Sequence, residues 1–159
     1  MLGVSLRTNK QLKHFKTMKK FILSIVATLV LGLLSFSASA QTTYRGYTDS
    51  FGNTTVTGSN GYRSTSYTDS FGNTTTRTNN GVTYNTRTDS FGNTTTTGSN
   101  GYRSTSYTDS FGNTTTRTNN GTTYRSYTDS FGNTTTTGSN GYRATSQTDS
   151  FGNTTIRIW

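Results

Sequence analysis

The groups in this chain that could do chemistry are few and recur at fixed intervals. Six aspartates, Asp49, Asp69, Asp89, Asp109, Asp129 and Asp149, stand at every twentieth position, each opening a copy of Asp-Ser-Phe-Gly-Asn-Thr-Thr. Carboxylates work as an acid and base pair only where unlike surroundings separate their pKa values. Identical repeats supply identical surroundings, so no catalysis is expected of them. Calcium would want several oxygen ligands per site, and Asp-Ser-Phe-Gly-Asn offers fewer than the calcium loops built for it. Each aspartate has a structural task instead, as the first residue of a turn that Gly52, Gly72, Gly92, Gly112, Gly132 or Gly152 closes. There is no cysteine, and the one histidine, His14, precedes the repeats. Residues 41–159 therefore hold no thiolate and no imidazole. Neither a cofactor nor a metal centre is expected.

Three further patterns carry binding chemistry. Arginine follows tyrosine at Tyr44-Arg45, Tyr62-Arg63 and Tyr102-Arg103, a pairing that can stack on bases or grip an acidic polymer. The same arginines serve equally as solvated charges stacked on neighbouring tyrosines, and no specific nucleic-acid partner is expected. Asn53-Thr54-Thr55 and its copies satisfy the glycosylation sequon, but asparagine after glycine already has a role in the turn. Thr74/Thr76, Thr94/Thr96, Thr114/Thr116 and Thr134/Thr136 give one Thr-x-Thr pair per repeat, which resembles the flat threonine arrays of ice-binding solenoids. High strand propensity explains them as well, since the intervening residue is also threonine.

Charge and apolar content bound the partners and the core. The formal charge is +9, but Arg7, Lys10, Lys13, Lys16, Lys19 and Lys20 all lie in residues 1–40, with no acid among them. Residues 41–159 balance nine arginines against six aspartates. They hold only five aliphatic side chains, Val56, Val82, Ala144, Ile156 and Ile158, and no Leu or Met. Ordering a residue costs roughly 1–2 kcal/mol of backbone entropy, while burying a large aliphatic side chain returns about 1.5–3 kcal/mol. An ordinary aliphatic core is excluded. The apolar matter left is aromatic: a phenylalanine in every repeat, the tyrosines and Trp159.

The leader has the order of an export signal. Met18-Lys19-Lys20 precedes the apolar run Phe21 to Phe36, and Ser37-Ala38-Ser39-Ala40 follows, so cleavage is expected between Ala40 and Gln41. Ser24, Thr28, Gly32 and Ser35 interrupt that run, which is shorter than the ~20 residues of a spanning helix. Residues 18–40 are thus read as a helical signal peptide, leaving no membrane segment after cleavage. Residues 1–17 read as an early start or an extended basic region.

The elements that position these groups follow from two turn signals in each repeat unit. Asp49-Ser50-Phe51-Gly52 fits a type I turn with a G1 bulge, and Ser59-Asn60-Gly61, or Asn79-Asn80-Gly81, supplies Asn-Gly. Between them run six or seven residues rich in Thr and Tyr, the length of a strand. Residues 41–159 therefore predict an all-β array of six tandem units and about twelve strands. It is an antiparallel hairpin meander or, alternatively, a β-solenoid in which each unit makes one coil. A solenoid stacks the aspartates at roughly 4.8 Å, whereas a meander sets them two strands apart, which favours the meander. Units alternate in detail, Gly61 to Asn80 against Gly81 to Asn100, so the larger period is two units. Tyr62 and Tyr67 fall on opposite faces, as do Tyr44 and Tyr47, and two-sided strands hold register weakly and invite edge pairing. Disorder is the remaining alternative for so little aliphatic content.

Tyr-Thr-Asp-Ser-Phe-Gly-Asn-Thr-Thr, as at Tyr47 to Thr55 and Tyr107 to Thr115, resembles the YD or RHS hairpin repeats over residues 44–155. The resemblance implies hairpin architecture and carries no activity. The expectation for function is a secreted, non-enzymatic structural repeat protein of the cell surface or extracellular matrix, self-assembling or adhesive. Its expected partners are itself, through strand edges, or matrix polymers. Ice is the alternative ligand.

Overall fold

Four-residue turns of one design, two in each of the first five units and one in the last, join the strands. The computed structural model describes residues 41–159; residues 1–17 and the expected signal peptide, 18–40, lie outside them. In the first turn Gly52 N–H donates to Asp49 C=O at 3.1 Å, and Asp49 N–H to Asn53 C=O at 2.9 Å. Gly52 sits at φ +86°, which closes the bulge without the penalty a side chain would meet there. One Asp49 carboxylate oxygen accepts the backbone N–H groups of Phe51 and Asn53, each at 2.9 Å, and the other accepts the Asn53 amide at 3.0 Å. The Asn53 side chain, foremost, then backbone donors, hold the Asp49 carboxyl below its ordinary range. The second turn repeats the pattern from Gly58 to Gly61, with Gly61 at φ +83° and Asn60 Oδ1 accepting Tyr62 N–H at 3.1 Å.

These turns join twelve strands: β1 (Thr42–Thr48), β2 (Thr54–Gly58), β3 (Arg63–Thr68), β4 (Thr74–Thr78), β5 (Thr83–Thr88), β6 (Thr94–Gly98), β7 (Arg103–Thr108), β8 (Thr114–Thr118), β9 (Thr123–Thr128), β10 (Thr134–Gly138), β11 (Arg143–Thr148) and β12 (Thr154–Ile158). Each pairs antiparallel with its neighbours in sequence, and β12 returns to β1 to close a barrel. The meander is as expected. The solenoid is not formed, because like residues sit two strands apart instead of stacking, and ordered strands replace the disordered alternative.

Closure was not anticipated, and its geometry lies in the register. Arg45 faces Thr57 and Thr57 faces Arg63, so pairing leads from Arg45 to Arg63 and not to Thr65, its equivalent in the next unit. The ladder thus slips by two positions per unit, and six such slips give a stagger equal to the number of strands. That ratio sets a strand tilt of roughly 36°, within the range at which sheets close.

The inward face replaces an aliphatic core with three polar and aromatic layers. Nearest the aspartate turns, threonine hydroxyls pair across each hairpin, as Thr48 with Thr54 and Thr68 with Thr74, both at 2.9 Å. The next layer pairs Ser66 with Thr76 at 2.8 Å, Thr86 with Thr96 at 2.9 Å, Ser106 with Thr116 at 2.8 Å and Ser126 with Thr136 at 2.7 Å. Each such bond is worth about 0.5–1.5 kcal/mol net, whereas a buried hydroxyl left alone costs about 1–3 kcal/mol. Pairing is therefore what allows Thr and Ser to line these two layers.

The third layer, at the Asn-Gly end, is tyrosine. Tyr44 pairs with Gly58, and Gly58 N–H donates to Tyr62 C=O, so a glycine lies between two tyrosines on adjoining strands. The rings meet edge to face across it, with centroids 5.7 Å apart for Tyr44–Tyr62, 5.8 Å for Tyr84–Tyr102 and 5.5 Å for Tyr124–Tyr142. Asn60 donates to the Tyr44 hydroxyl at 3.0 Å, tying ring to turn. This Tyr-Gly-Tyr triplet spans two units, which accounts for the doubled period of the sequence.

Burial, as the largest cause, raises the pKa of all six of these tyrosines. The phenols stay neutral in the barrel while those of the unfolded chain ionise near pH 10. Their contribution to stability is thus fully present below about pH 10 and is lost as pH rises through the higher folded values. An alkaline titration should show a phenolate absorption step that coincides with loss of the β-sheet circular dichroism signal. Ionisation of every tyrosine with the sheet spectrum unchanged would contradict this.

Candidate functional site

The outward face divides into a wall and two unlike rims. All nine arginines project outward and are exposed, alternating with Thr, Tyr and Asn. The strand-borne arginines face threonine across the ladder, as Arg45 faces Thr57 and Thr155, so like charges are not set opposite one another. Arg45 and Arg125 stand at the middle of their strands, where a lipid-facing wall would incur about 2–4 kcal/mol each. The strands run only 5–7 residues against the roughly 9–11 of membrane barrels. Both features are unlike those of a lipid-facing wall.

The rim with the Asn-Gly turns is laterally knitted. Asn79 donates through its side chain to Gly61 C=O at 3.0 Å and accepts Arg63 N–H at 3.1 Å, while Ser59 Oγ accepts Thr43 N–H at 3.2 Å. Thr42 and Ile158 meet on this rim, and Trp159 N–H donates to Arg143 C=O there.

The opposite rim carries the six aspartate turns and is where large apolar surface meets solvent. Phe51, Phe71, Phe91, Phe111, Phe131 and Phe151 are 88–91% exposed. Each occupies the third position of its turn, so its side chain leaves from the tip while its backbone N–H is held by the aspartate. The hydrogen bonds of these turns are internal, which leaves the tips free for contact. Adjacent phenylalanines are two strands apart, roughly 10 Å. Half-exposed Tyr47, Tyr67, Tyr107 and Tyr127 form a collar below them, with Arg87 and Gln147 at the two other equivalent positions. The six phenyl rings together expose on the order of 1,000 Å² of apolar surface on this rim.

The predicted site residues resolve into two roles. Asp49/Gly52, Asp69/Gly72, Asp89/Gly92, Asp109/Gly112, Asp129/Gly132 and Asp149/Gly152 form the six turns as expected. The threonines expected to make a binding face point into the barrel: Thr74, Thr76, Thr94, Thr96, Thr116 and Thr136 are buried and Thr114 and Thr134 half-buried. Each hydroxyl bonds to the Ser or Thr that faces it on the paired strand, so this set presents no array to ice. The phenylalanines, counted by composition among the apolar matter available to the fold, stand outside. Their place inside the four-residue turn is the signal that marks them, since a side chain there cannot reach a core between strands. No strand edge is free among the described residues, and edge pairing between chains would require parting β1 from β12. Those residues also contain no group of three or more His, Cys, Asp or Glu placed to hold a metal. No family model, curated protein or solved structure matches the chain.

Proposed function

We propose that this chain is a secreted, non-enzymatic structural protein of the cell surface or extracellular matrix, and that the phenylalanine rim is its working surface. The observation that carries the reading is the near-complete exposure of six phenylalanines on six equivalent turns. Any polar residue would serve the turn, because the hydrogen bonds come from aspartate, glycine and backbone. Apolar rings that contribute nothing to the fold are instead suited to contact another surface. The basic, apolar and small-residue order of residues 18–40 supports export, with processing between Ala40 and Gln41. A non-enzymatic role fits aspartates that are each committed to their own turn.

Replacing all six phenylalanines by serine tests the reading. The sheet spectrum is expected to stay as in the wild type, while retention of the exported protein on the producing cells or their matrix falls at least about tenfold, the equivalent of roughly 1.4 kcal/mol. Equal retention of both forms would remove the rim from the function.

A further inference from the structure

The ends of the barrel are complementary in charge. All six aspartates lie on the phenylalanine rim, where Arg87 is the one arginine of the adjoining collar. At the other end Arg63, Arg103 and Arg143 follow closely on the turn glycines Gly61, Gly101 and Gly141, Arg77 and Arg117 stand just before a turn, and Arg157 stands beside Ile158 at the seam. Six carboxylates and six phenyl rings thus crown one end, and six guanidiniums ring the other.

We propose that barrels stack head to tail, the phenylalanine rim of one copy seating on the arginine-bearing rim of the next. The proposal rests on the reading of the phenylalanine rim as the working surface, and it names the occupant. Guanidinium groups are suited to both components of the crown, since they lie flat on phenyl faces and pair with carboxylates. Crown-to-crown contact would instead oppose six aspartates to six, and a bilayer would have to accept those carboxylates beside the rings. The area is adequate: a standard interface needs about 800 Å² from each partner, and the crown exposes on the order of 1,000 Å². Because the contact joins unlike ends it does not close on itself, and it propagates as a filament one barrel wide.

The test uses the protein as the expressing host releases it, with its N-terminus read. Two variants are needed, one with all six phenylalanines changed to serine and one with Arg63, Arg77, Arg103, Arg117, Arg143 and Arg157 changed to glutamine. Both must keep the wild-type sheet spectrum. In sedimentation velocity the wild type is expected to form a ladder of species that lengthens with concentration and shortens in salt. Each variant alone should be a monomer. Mixed, they should form a dimer and nothing larger, because each lends the one rim the other lacks. A wild type that stays monomeric overturns the proposal, as does a mixture that stays monomeric or an arginine variant that still dimerises. Binding of the wild type to phosphatidylcholine vesicles without self-association would also overturn it and assign the crown to lipid. A monomeric wild type that is still retained on cells through its phenylalanines would sink stacking and leave the proposed function standing. Stacking without retention would do the reverse.

Discussion

Val56→Thr, Ala144→Ser, Ile156→Thr and Ile158→Thr, made together, are expected to unlatch the barrel. Each change restores the residue that equivalent units carry at that position, so by the logic of the repeat it should be silent. The structure says otherwise. Four of the five aliphatic residues in the repeats lie on β2, β11 and β12, beside the junction of β1 and β12. Val56, Ala144 and Ile156 are buried in one cluster with Tyr44, Tyr124 and Tyr142, and Ile158 packs against it. Ile156 faces Tyr44 across the junction, and Ile158 faces Thr42.

In the four inner units the second layer is a hydroxyl pair, but in the first unit Gly46 faces Val56 and in the last Ser146 faces Ile156. The odd residues thus distinguish the two strands that must find each other from ten that resemble them. Loss of buried aliphatic surface at several of these sites is worth roughly 4–8 kcal/mol in total. That is a large share of the ~5–15 kcal/mol by which a domain is stable. The urea midpoint should fall accordingly, and amide exchange should lose protection first in β1 and β12. A midpoint equal to wild type, with both strands as protected as β6, would show that closure does not depend on these residues.

Gly98→Ala is expected to destabilise the barrel by roughly 2–4 kcal/mol, combining overpacking with a lost ring contact and hydrogen bond. Gly46→Ala should be neutral or slightly stabilising. Both glycines are inward-facing strand residues without a positive φ, so propensity alone would treat them alike. At Gly98 a Cβ would stand 2.6 Å from Cε1 of Tyr84 and 2.6 Å from Oδ1 of Asn100. The ring cannot yield freely, because Tyr102 meets it edge on and Asn100 donates to its hydroxyl at 3.3 Å. At Gly46 the nearest atom, Cγ2 of Val56, is 3.5 Å away, an ordinary contact. There the ~0.4–1 kcal/mol gained by restricting the unfolded chain is unopposed. Alanine at Gly58, Gly98 and Gly138 together should prevent folding. Equal urea midpoints for Gly46→Ala and Gly98→Ala would refute the packing account.

Turns and strands were legible in the sequence because they depend on local chemistry: aspartate to glycine spacing, Asn-Gly, and runs of Thr between them. The facing of the strands was also legible in principle, through the arginines. All nine fall at positions of one parity within the strands, which marks the outer face and makes Thr74, Thr76 and their copies inner residues. Reading the tyrosines instead suggested two equivalent faces, since Tyr62 lies inside and Tyr67 outside. Closure was not legible from local signals. It depends on the slip in pairing between units, and on Ile156 and Ile158 meeting a strand at the far end of the repeat array. The exposure of the phenylalanines was not legible from composition, which counts rings and is blind to where a turn directs them.

The Tyr-Gly-Tyr triplet has a consequence for descent. Its first tyrosine and its glycine belong to one unit and its second tyrosine to the next, so duplication of a single unit would leave a glycine with one ring beside it or a ring beside a threonine. A gene growing by whole triplets adds two units, and with them four strands, at a time. Relatives of this chain should accordingly come in barrel sizes separated by four strands, with the aliphatic latch always carried by the first and last copies.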